Sequence, residues 1–286
     1  MTTSTASAAD TDALLDVCKR IRRHIVEMTH AAQSGHPGGS LSSTEIFAAL
    51  YFGGVARHDP ANPQWDRRDR VILSKGHATP VVYATLAEAG YFSTELIPTF
   101  RSLGTQLQGH VVRNKPAGVE MSGGALGMGL SFAVGIALGH ELDSLDDDEG
   151  QIFVVVGDGE LNEGQNWEAI MSASHFGLQR ITAVLDRNHF QNDGPGDEIM
   201  RIDPVGDKWS AFGWGVQHVD GHDVTAVRDA LLTARARTDA PQVVICETVK
   251  GRGVSFMASN PGAWHGKGPS DEQLAQALDE IEAGLS

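Results

Sequence analysis

The apolar residues of this chain follow two different spacings. From Asp12 they recur every three or four positions until about Gly35, which is the pattern of one buried helix face. Further along, short apolar runs rich in β-branched residues end at glycine or polar residues, and helical patterns follow them. Continuously apolar strands that alternate with helices are typical of a parallel sheet covered on both faces. The pattern therefore predicts an α/β fold, with a doubly wound, mostly parallel sheet and helices on both faces.

The same pattern sets the expected domain organisation. Residues 1–10 show no periodicity and are expected to form a flexible N-terminal arm. No stretch resembling a linker divides the remainder, so residues 11–286 are expected to fold as a single domain. The predicted strands lie at 71–73, 151–156, 181–185, 215–219 and 242–248, and the helices after the first (12–35) lie at 80–89, 165–176 and 224–234.

Composition and charge narrow the function classes. The 286 residues carry 37 acidic and 22 basic side chains, and a net charge of −15 disfavours nucleic-acid binding over any broad surface. No apolar run approaches the ~20 residues that span a bilayer, and the first residues lack the order of a signal peptide. We therefore expect a soluble, cytoplasmic protein with no nucleic-acid or membrane partner. Cys18 and Cys246 lie in apolar patterns and are expected to be buried, without redox chemistry.

Polar residues that could bind a ligand follow two of the predicted strands. Gly157-Asp158-Gly159 ends the strand 151–156, and Asn188 follows the strand 181–185. Because ligands of such sheets bind beyond the carboxyl ends of the strands, both loops should border one crevice. An Asp carboxylate, an Asn carbonyl and a backbone carbonyl could hold Mg²⁺ together with a diphosphate there. The tripeptide alone also fits an ordinary Asp-Gly turn, while Rossmann and P-loop fingerprints are absent from the sequence.

Five blocks of sequence, in this order, resemble the transketolase family. The resemblance extends from about Leu14 to Gly268 and implies a thiamine diphosphate-binding fold. It implies thiamine diphosphate and a divalent cation (Mg²⁺, Ca²⁺ or Mn²⁺) as cofactors. The blocks are Ser34-Gly35-His36-Pro37-Gly38-Gly39, Lys75-Gly76-His77-Ala78, Gln108-Gly109-His110, residues 157–168 with the later Asn188, and Trp264-His265-Gly266.

The resemblance implies a ligand set for the cofactor and its metal ion. The divalent ion would be bound by Asp158, Asn188 and the backbone carbonyl of Phe190. Asp158 and Asn188 thereby also belong to the cofactor site. The remaining residues that would contact the cofactor are His77, Gly124, Leu126, Gly157, Gly159 and His265.

Four histidines acquire catalytic roles from the same resemblance. His36 and His265 would handle the proton of the donor C3 hydroxyl and the acceptor carbonyl. His110, assisted by His77, would bind the C1 hydroxyl of the two-carbon unit. Imidazole suits these tasks because it binds hydroxyl groups and moves protons near neutral pH.

The chain is long enough for only the diphosphate-binding part of a transketolase. A C-terminal transketolase subunit would have to supply the pyrimidine-binding domain, and the two chains are expected to form an α2β2 heterotetramer. Glu163 and Glu168 would lie at the interface between cofactor sites. From the residues alone, these two glutamates also fit solvated carboxylates or favourable charges at a helix N-terminus.

The expected function is that of the N-terminal subunit of a two-component transketolase. It would transfer a two-carbon ketol unit from a ketose, or a ketose phosphate, to an aldose acceptor. One alternative passes the two-carbon unit to a lipoyl or carrier-protein acceptor, and departures from the family pattern at Gly123, Ala125 and Met128 motivate it. An alternative of another class is a non-catalytic binding module.

Overall fold

A five-stranded parallel sheet lies at the centre of the structure, a computed structural model that describes residues 11–143 and 150–284. Its strands are β1 Arg70–Leu73, β2 Ile152–Gly157, β3 Ile181–Arg187, β4 Gly215–Asp220 and β5 Gln242–Glu247. Neighbouring strands follow the order β1-β2-β3-β5-β4, and each pair is parallel. The predicted parallel sheet is therefore confirmed. The predicted arm, residues 1–10, lies outside the described residues.

Helices connect the strands and cover both faces of the sheet. The first helix ends earlier than the predicted Gly35, because the backbone turns away at Gln33 and Gly35, where φ is 47° and 131°. The helices are α1 Thr11–Ala31, α2 Pro37–Leu41, α3 Thr44–Phe52, α4 Thr79–Glu88, α5 Met128–Asp143, α6 Gly164–His175, α7 Gly196–Ile199, α8 Val205–Ala211, α9 Val224–Ala236, α10 Ser255–Ala258 and α11 Asp271–Ala283. None of these described helices combines the length and apolarity needed to cross a bilayer.

Each face of the sheet has its own apolar core. Phe153 and Val155 contribute to the core beneath α1, α3, α4, α9 and α11. Val154 and Val156 contribute to the opposite core, beneath α5, α6 and α8. Because successive side chains of a strand point to opposite faces, a strand covered on both sides needs an apolar residue at every position. This explains the uninterrupted apolar run of β2, of which every residue is buried.

The carboxyl ends of β1, β2, β3 and β5 lie side by side at one edge of the sheet. The register places Gly157 of β2 opposite Asp186 of β3, and Asp186 opposite Cys246 of β5. Residues just beyond these strand ends, such as Asp158 and Asn188, therefore share one crevice. Cys18 and Cys246 are both free and buried, as predicted.

Candidate active site

Four histidines converge at this edge of the sheet. The ring centroid of His36 lies 5.6 Å from that of His77, 6.4 Å from that of His110 and 5.3 Å from that of His265. The rings of His77 and His265 are stacked at 5.1 Å. The structure thus brings together four side chains that the sequence carries in separate blocks.

Their surroundings keep the four imidazoles neutral. Burial lowers the pKa of His36 and of His265 to about 4, and neighbouring positive charges act in the same direction. Burial also lowers the pKa of His77 well below its usual range. The pKa of His110 is lowered by burial and by the charge of Arg101. A neutral imidazole has one nitrogen that donates and one that accepts, as binding of a sugar hydroxyl requires.

A cavity of about 200 Å³ adjoins the histidine cluster. The turn that follows β2 and the loop that follows β3 both contribute to its wall. All of the predicted cofactor-binding residues except Gly124 line this cavity, namely His77, Leu126, Gly157, Asp158, Gly159, Asn188 and His265.

With Glu160, Asp158 is one of two carboxylates in the wall of this cavity. Its Oδ1 accepts the backbone N–H of Gly159 at 2.8 Å, and its Oδ2 accepts the backbone N–H of His189 at 2.6 Å. Burial, together with the charge of Asp186, raises the pKa of Asp158 to about 6. A cation would stabilise the ionised form of such a carboxylate. The position of Asp158 therefore fits a divalent ion.

Asn188 follows the neighbouring strand. Its Nδ2 donates to Asp186 Oδ2 at 3.3 Å, and its Oδ1 accepts the backbone N–H of Phe190 at 3.1 Å. An amide oxygen has a second lone pair, so Oδ1 can still bind a cation. In residues 11–143 and 150–284, no three His, Cys, Asp or Glu side chains group in a metal-binding arrangement. The predicted set, one carboxylate with neutral oxygens, is of the kind that Mg²⁺ accepts.

A buried ion pair lies next to these groups. Lys75 Nζ binds Asp186 Oδ2 and also donates to the backbone oxygen of Gly39 at 2.8 Å. Asp186 accepts further hydrogen bonds from the hydroxyl groups of Ser42, at 2.7 Å, and Thr248. Burial would raise the pKa of Asp186, but the charge of Lys75 and these hydrogen bonds lower it to about 2. The pair ties the ends of β1, β3 and β5 to α2.

Lys250 was not assigned a role from the sequence. Only 3% of its surface is exposed, and its Nζ lies 2.9 Å from His265 Nδ1 and 3.3 Å from the backbone oxygen of Gln191. Burial and the charge of Lys75 lower the pKa of Lys250 to about 8. The side chain lines the cavity and can supply positive charge to a bound phosphate. The only feature of the sequence that could have indicated a role for Lys250 was its position just after the predicted strand 242–248.

Glu160 was also missed, although it holds three loops together. Its Oε1 accepts hydrogen bonds from Ser74 Oγ at 2.5 Å and from the backbone N–H of Gly127 at 2.8 Å. Its Oε2 accepts the backbone N–H of Gly157 at 3.1 Å. Glu160 thus fixes the loop before α5 relative to the ends of β1 and β2.

That loop carries the predicted residues Gly124 and Leu126. Gly124 lies directly against Gly76, because a Cβ atom added to Gly76 would come within 2.6 Å of Gly124 N. The φ of Gly124 is 142°, a conformation that favours glycine. Leu126 lines the cavity and is 38% exposed. The structure therefore places both residues at the edge of the site.

Glu163 and Glu168 lie apart from the cavity wall. Both are solvent-exposed at the start of α6. Glu163 packs against the loop before α5, since a Cβ atom added to Gly127 would lie 2.8 Å from Glu163 Cβ. The two glutamates occupy an outer surface, and their role at an interface stays a prediction.

The sequence was also compared with known protein families. Residues 15–282 match the family described as "Transketolase, thiamine diphosphate binding domain". The chain belongs to the transketolase family. Its expected thiamine diphosphate-binding fold is confirmed by the same match and by the parallel sheet.

Two similar transketolase chains are named as subunits. The 6-deoxy-6-sulfo-D-fructose transketolase subunit SqwG of Clostridium sp. (strain MSTE9) is 41% identical over 262 residues, which cover 92% of this chain and 94% of that protein. An apulose-4-phosphate transketolase subunit of Actinobacillus succinogenes is 39% identical over 272 residues, covering 95% and 96%. The expected kinship with N-terminal transketolase subunits is therefore confirmed, and the carrier-protein and non-catalytic alternatives are not favoured.

Solved transketolase structures show the same fold within longer chains. A transketolase variant from Pichia stipitis matches with a TM-score of 0.87 and 29% sequence identity, over 96% of this chain and 41% of that chain. Transketolase from Leishmania mexicana matches with a TM-score of 0.87 and 27% identity, over 94% and 41%. This chain therefore spans about two fifths of these transketolases.

Proposed function

We propose that this chain is the diphosphate-binding subunit of a two-component transketolase that transfers a ketol unit from a ketose, or its phosphate, to an aldose. One observation carries the proposal. The cluster of four neutral histidines lies directly beside a cavity whose wall includes two carboxylates, Asp158 and Glu160, and two lysines, Lys75 and Lys250. A metal-bound diphosphate and a reacting sugar need these two environments side by side.

The cofactor would be held as follows. Asp158, Asn188 and the backbone carbonyl of Phe190 would bind Mg²⁺, and Lys250 and the neighbouring histidines would contact the diphosphate. The raised pKa of Asp158 supports this assignment, because a divalent ion would offset the burial of its charge. When bound, thiamine diphosphate supplies the carbanion that attacks the ketose and the electron sink for the two-carbon unit.

The histidines would handle the sugar. His36 and His265, whose rings meet edge to face, would take the proton of the donor C3 hydroxyl and return one to the acceptor oxygen. His110, which is more exposed, would bind the C1 hydroxyl with help from His77. Because all four are neutral, each can accept a proton at neutral pH.

A partner chain would complete the site. The outer surface of α5 and α6 exposes several large apolar side chains, with Met128 46%, Phe132 42% and Met171 54% exposed. Apolar surface of this kind marks protein interfaces. Glu163 and Glu168 lie on the same helix pair, at the start of α6. We propose that two copies of this chain and two copies of a pyrimidine-binding chain assemble through this surface.

Reconstitution tests the proposed function. The chain and the candidate partner would be purified separately, then mixed with Mg²⁺, thiamine diphosphate and a ketose donor. Suitable donors are fructose 6-phosphate, xylulose 5-phosphate, apulose 4-phosphate and 6-deoxy-6-sulfofructose, with an aldose acceptor and detection of both products by mass spectrometry. We expect ketol transfer by the mixture alone. Steady transfer by the isolated chain, or none by any mixture that binds cofactor, would contradict the proposal.

A variant at the apolar surface tests the assembly. Phe132→Glu would place a charge within the proposed interface and should prevent complex formation, measured by light scattering after gel filtration. Leu15→Glu is the matched control. Leu15 is 44% exposed and lies on α1, which covers the opposite face of the sheet. Normal assembly of the Phe132→Glu variant would place the interface elsewhere.

A further inference from the structure

Arg101 bridges the two loops that carry His36 and His110. Its Nη1 donates to Ser34 Oγ at 2.6 Å, two residues before His36. Its Nη2 lies 3.5 Å from the backbone oxygen of Gly109, the residue just before His110. One guanidinium group therefore contacts both of these loops.

The surroundings of Arg101 hold the guanidinium in this position. The ring of Phe100 lies 5.4 Å from Arg101 Cζ, a cation–π contact, and it also packs beneath Gly35. A Cβ atom on Gly109 would lie 3.0 Å from Arg101 Nε, so only glycine lets the guanidinium approach so closely. Arg101 itself has a φ of 61°, a left-handed conformation that is unfavourable for a non-glycine residue. Such a conformation beside a functional site is a reason to look for a role.

The charge of Arg101 is also unusual. No carboxylate of the described residues forms an ion pair with it, and its buried Nε has no hydrogen-bond acceptor among them. Burial lowers the pKa of Arg101, but it remains a cation at any pH of interest. Its positive charge therefore acts on the imidazoles beside it without being neutralised locally.

The groups that face the two imidazoles are all neutral or cationic. His36 is faced by His77, His110, His265, Lys250 and Arg101. His110 is faced by His36 and Arg101. After burial, Arg101 is the one cause that acts on the titration of His110. Removal of this charge should therefore change the titration of His110, and it should also affect His36, on which several other charges act.

We propose that Arg101 is a positioning residue for sugar transfer: its guanidinium fixes His36 and His110 relative to each other and places a positive charge beside both imidazoles. The role in catalysis rests on the proposed transketolase function. The two contributions can be separated, because Ser34 carries the anchor and Arg101 carries the charge. Arg101→Gln removes the charge, Arg101→Lys keeps it without the planar fork, and Ser34→Ala removes the anchor alone.

The first experiment needs no activity. The imidazole Cε1–H signals of the full-length chain would be followed by NMR against pH, with His110→Gln to assign the signal of His110. In Arg101→Gln the titration midpoint of His110 should rise by about half a unit or more, whereas Arg101→Lys should stay near wild type. The midpoint of His24, on α1, should be the same in all variants. An unchanged His110 midpoint in Arg101→Gln overturns the proposal.

The second experiment uses the reconstituted complex. Arg101→Gln should lower kcat about 10- to 100-fold, with unchanged affinity for thiamine diphosphate and Mg²⁺ by calorimetry. In the plot of its kcat against pH, the acidic limb should move to higher pH. A purely structural defect would not cause this shift. Ser34→Ala should lower kcat without moving that limb, and Arg101→Lys should recover part of the activity. Arg113→Gln, at an exposed arginine further along this loop, is the matched control.

The two proposals fail in different ways. If the wild-type complex transfers ketol units and Arg101→Gln has wild-type kcat, the role of Arg101 is wrong and the proposed function stands. If the wild-type complex is inactive but Arg101→Gln shifts the His110 midpoint, the electrostatic role stands and the proposed function fails.

Discussion

His36 and His265 meet edge to face, with their ring centroids 5.3 Å apart and their planes at 88°. His36 precedes α2, near the start of the chain, and His265 lies in the loop before α11. Burial lowers the pKa of both to about 4. Two adjacent imidazolium ions would repel each other, so a proton taken up by one ring disfavours protonation of the other. The pair is therefore suited to holding one proton at a time.

Removal of the Asp158 carboxylate from the cavity wall should abolish metal-dependent cofactor binding. In the reconstituted complex, Asp158→Ala should weaken thiamine diphosphate binding by about 100-fold or more, because the ion loses its only charged protein ligand in the predicted set. Calorimetry with and without Mg²⁺ measures this loss, and far-UV circular dichroism checks the fold. Asp207→Ala, at an exposed position of α8, is the control. Wild-type affinity in Asp158→Ala would show that the ion binds elsewhere.

His110 and His77 should lose different properties when replaced. His110 is exposed and is proposed to bind the sugar, so His110→Ala should lower kcat by about 100-fold with nearly unchanged cofactor affinity. His77 lines the cavity, so His77→Ala should weaken both cofactor binding and turnover. Steady-state kinetics and calorimetry on the reconstituted complex separate the two effects. If His110→Ala abolished cofactor binding, its loop would belong to the cofactor site instead.

Breaking a buried ion pair away from the cavity should lower the free energy of unfolding strongly. Glu45 pairs with Arg22 and accepts a hydrogen bond from His222 at 3.2 Å. Burial opposes the charge of Glu45, but the charge of Arg22 and the contacts with His222 together hold the pKa of Glu45 below its usual value. Glu45→Ala would leave the Arg22 charge unpaired and should cost about 3–5 kcal/mol in urea unfolding.

The control for this prediction is an exposed ion pair. Asp197→Ala breaks the pair between Asp197 and Arg201, in which both side chains are mostly exposed. Exposed pairs contribute little, so its urea midpoint should match wild type. Equal losses of unfolding free energy in Asp197→Ala and Glu45→Ala would contradict the prediction that the buried pair matters more than the exposed one.

The contribution of His24 to the free energy of unfolding should be lost as the pH becomes alkaline. Burial opposes its charge, yet contacts with Glu27 and Glu88 raise its pKa to about 9, above the unfolded value of about 6.5. The contribution is therefore fully present below about pH 6.5 and is lost as pH rises through about 9. The loss of unfolding free energy caused by His24→Gln should be larger by about 1–2 kcal/mol near pH 6 than near pH 9.5. A pH-independent difference would exclude this linkage.

The fold was predictable because burial on both faces leaves a strong pattern. Every predicted strand exists, with ends that differ by a residue or two, as in β3, which continues to Arg187. α5 was not predicted, because the glycines at 129, 135 and 139 interrupt its pattern and its outer side is also apolar. α11 was not predicted either, although Ser270 and Gln273 form a capping box that the sequence could have revealed.

The site was predictable where residue identity itself signals chemistry. The four histidines and Asp158 belong to recognisable blocks. In the structure His77, His265 and Asp158 line one cavity, and His36 and His110 lie beside it. Lys250 and Glu160 act through long-range contacts that no local pattern contains. His222 lies outside the recognisable blocks, yet its ring is buried and accepts the backbone N–H of Val249. Only the folded chain brings these partners within reach.

The exposed apolar surface of α5 and α6 has a consequence for how the two chains are produced. In the proposed assembly Phe132 and Met171 stay uncovered until the partner binds, and in that state this surface favours self-association of the protein. Matched synthesis of both chains in one cell would keep the free concentration low, whereas an excess of one chain would lose part of it to self-association. A transketolase divided in the proposed way would depend on balanced expression for its solubility as well as for its chemistry.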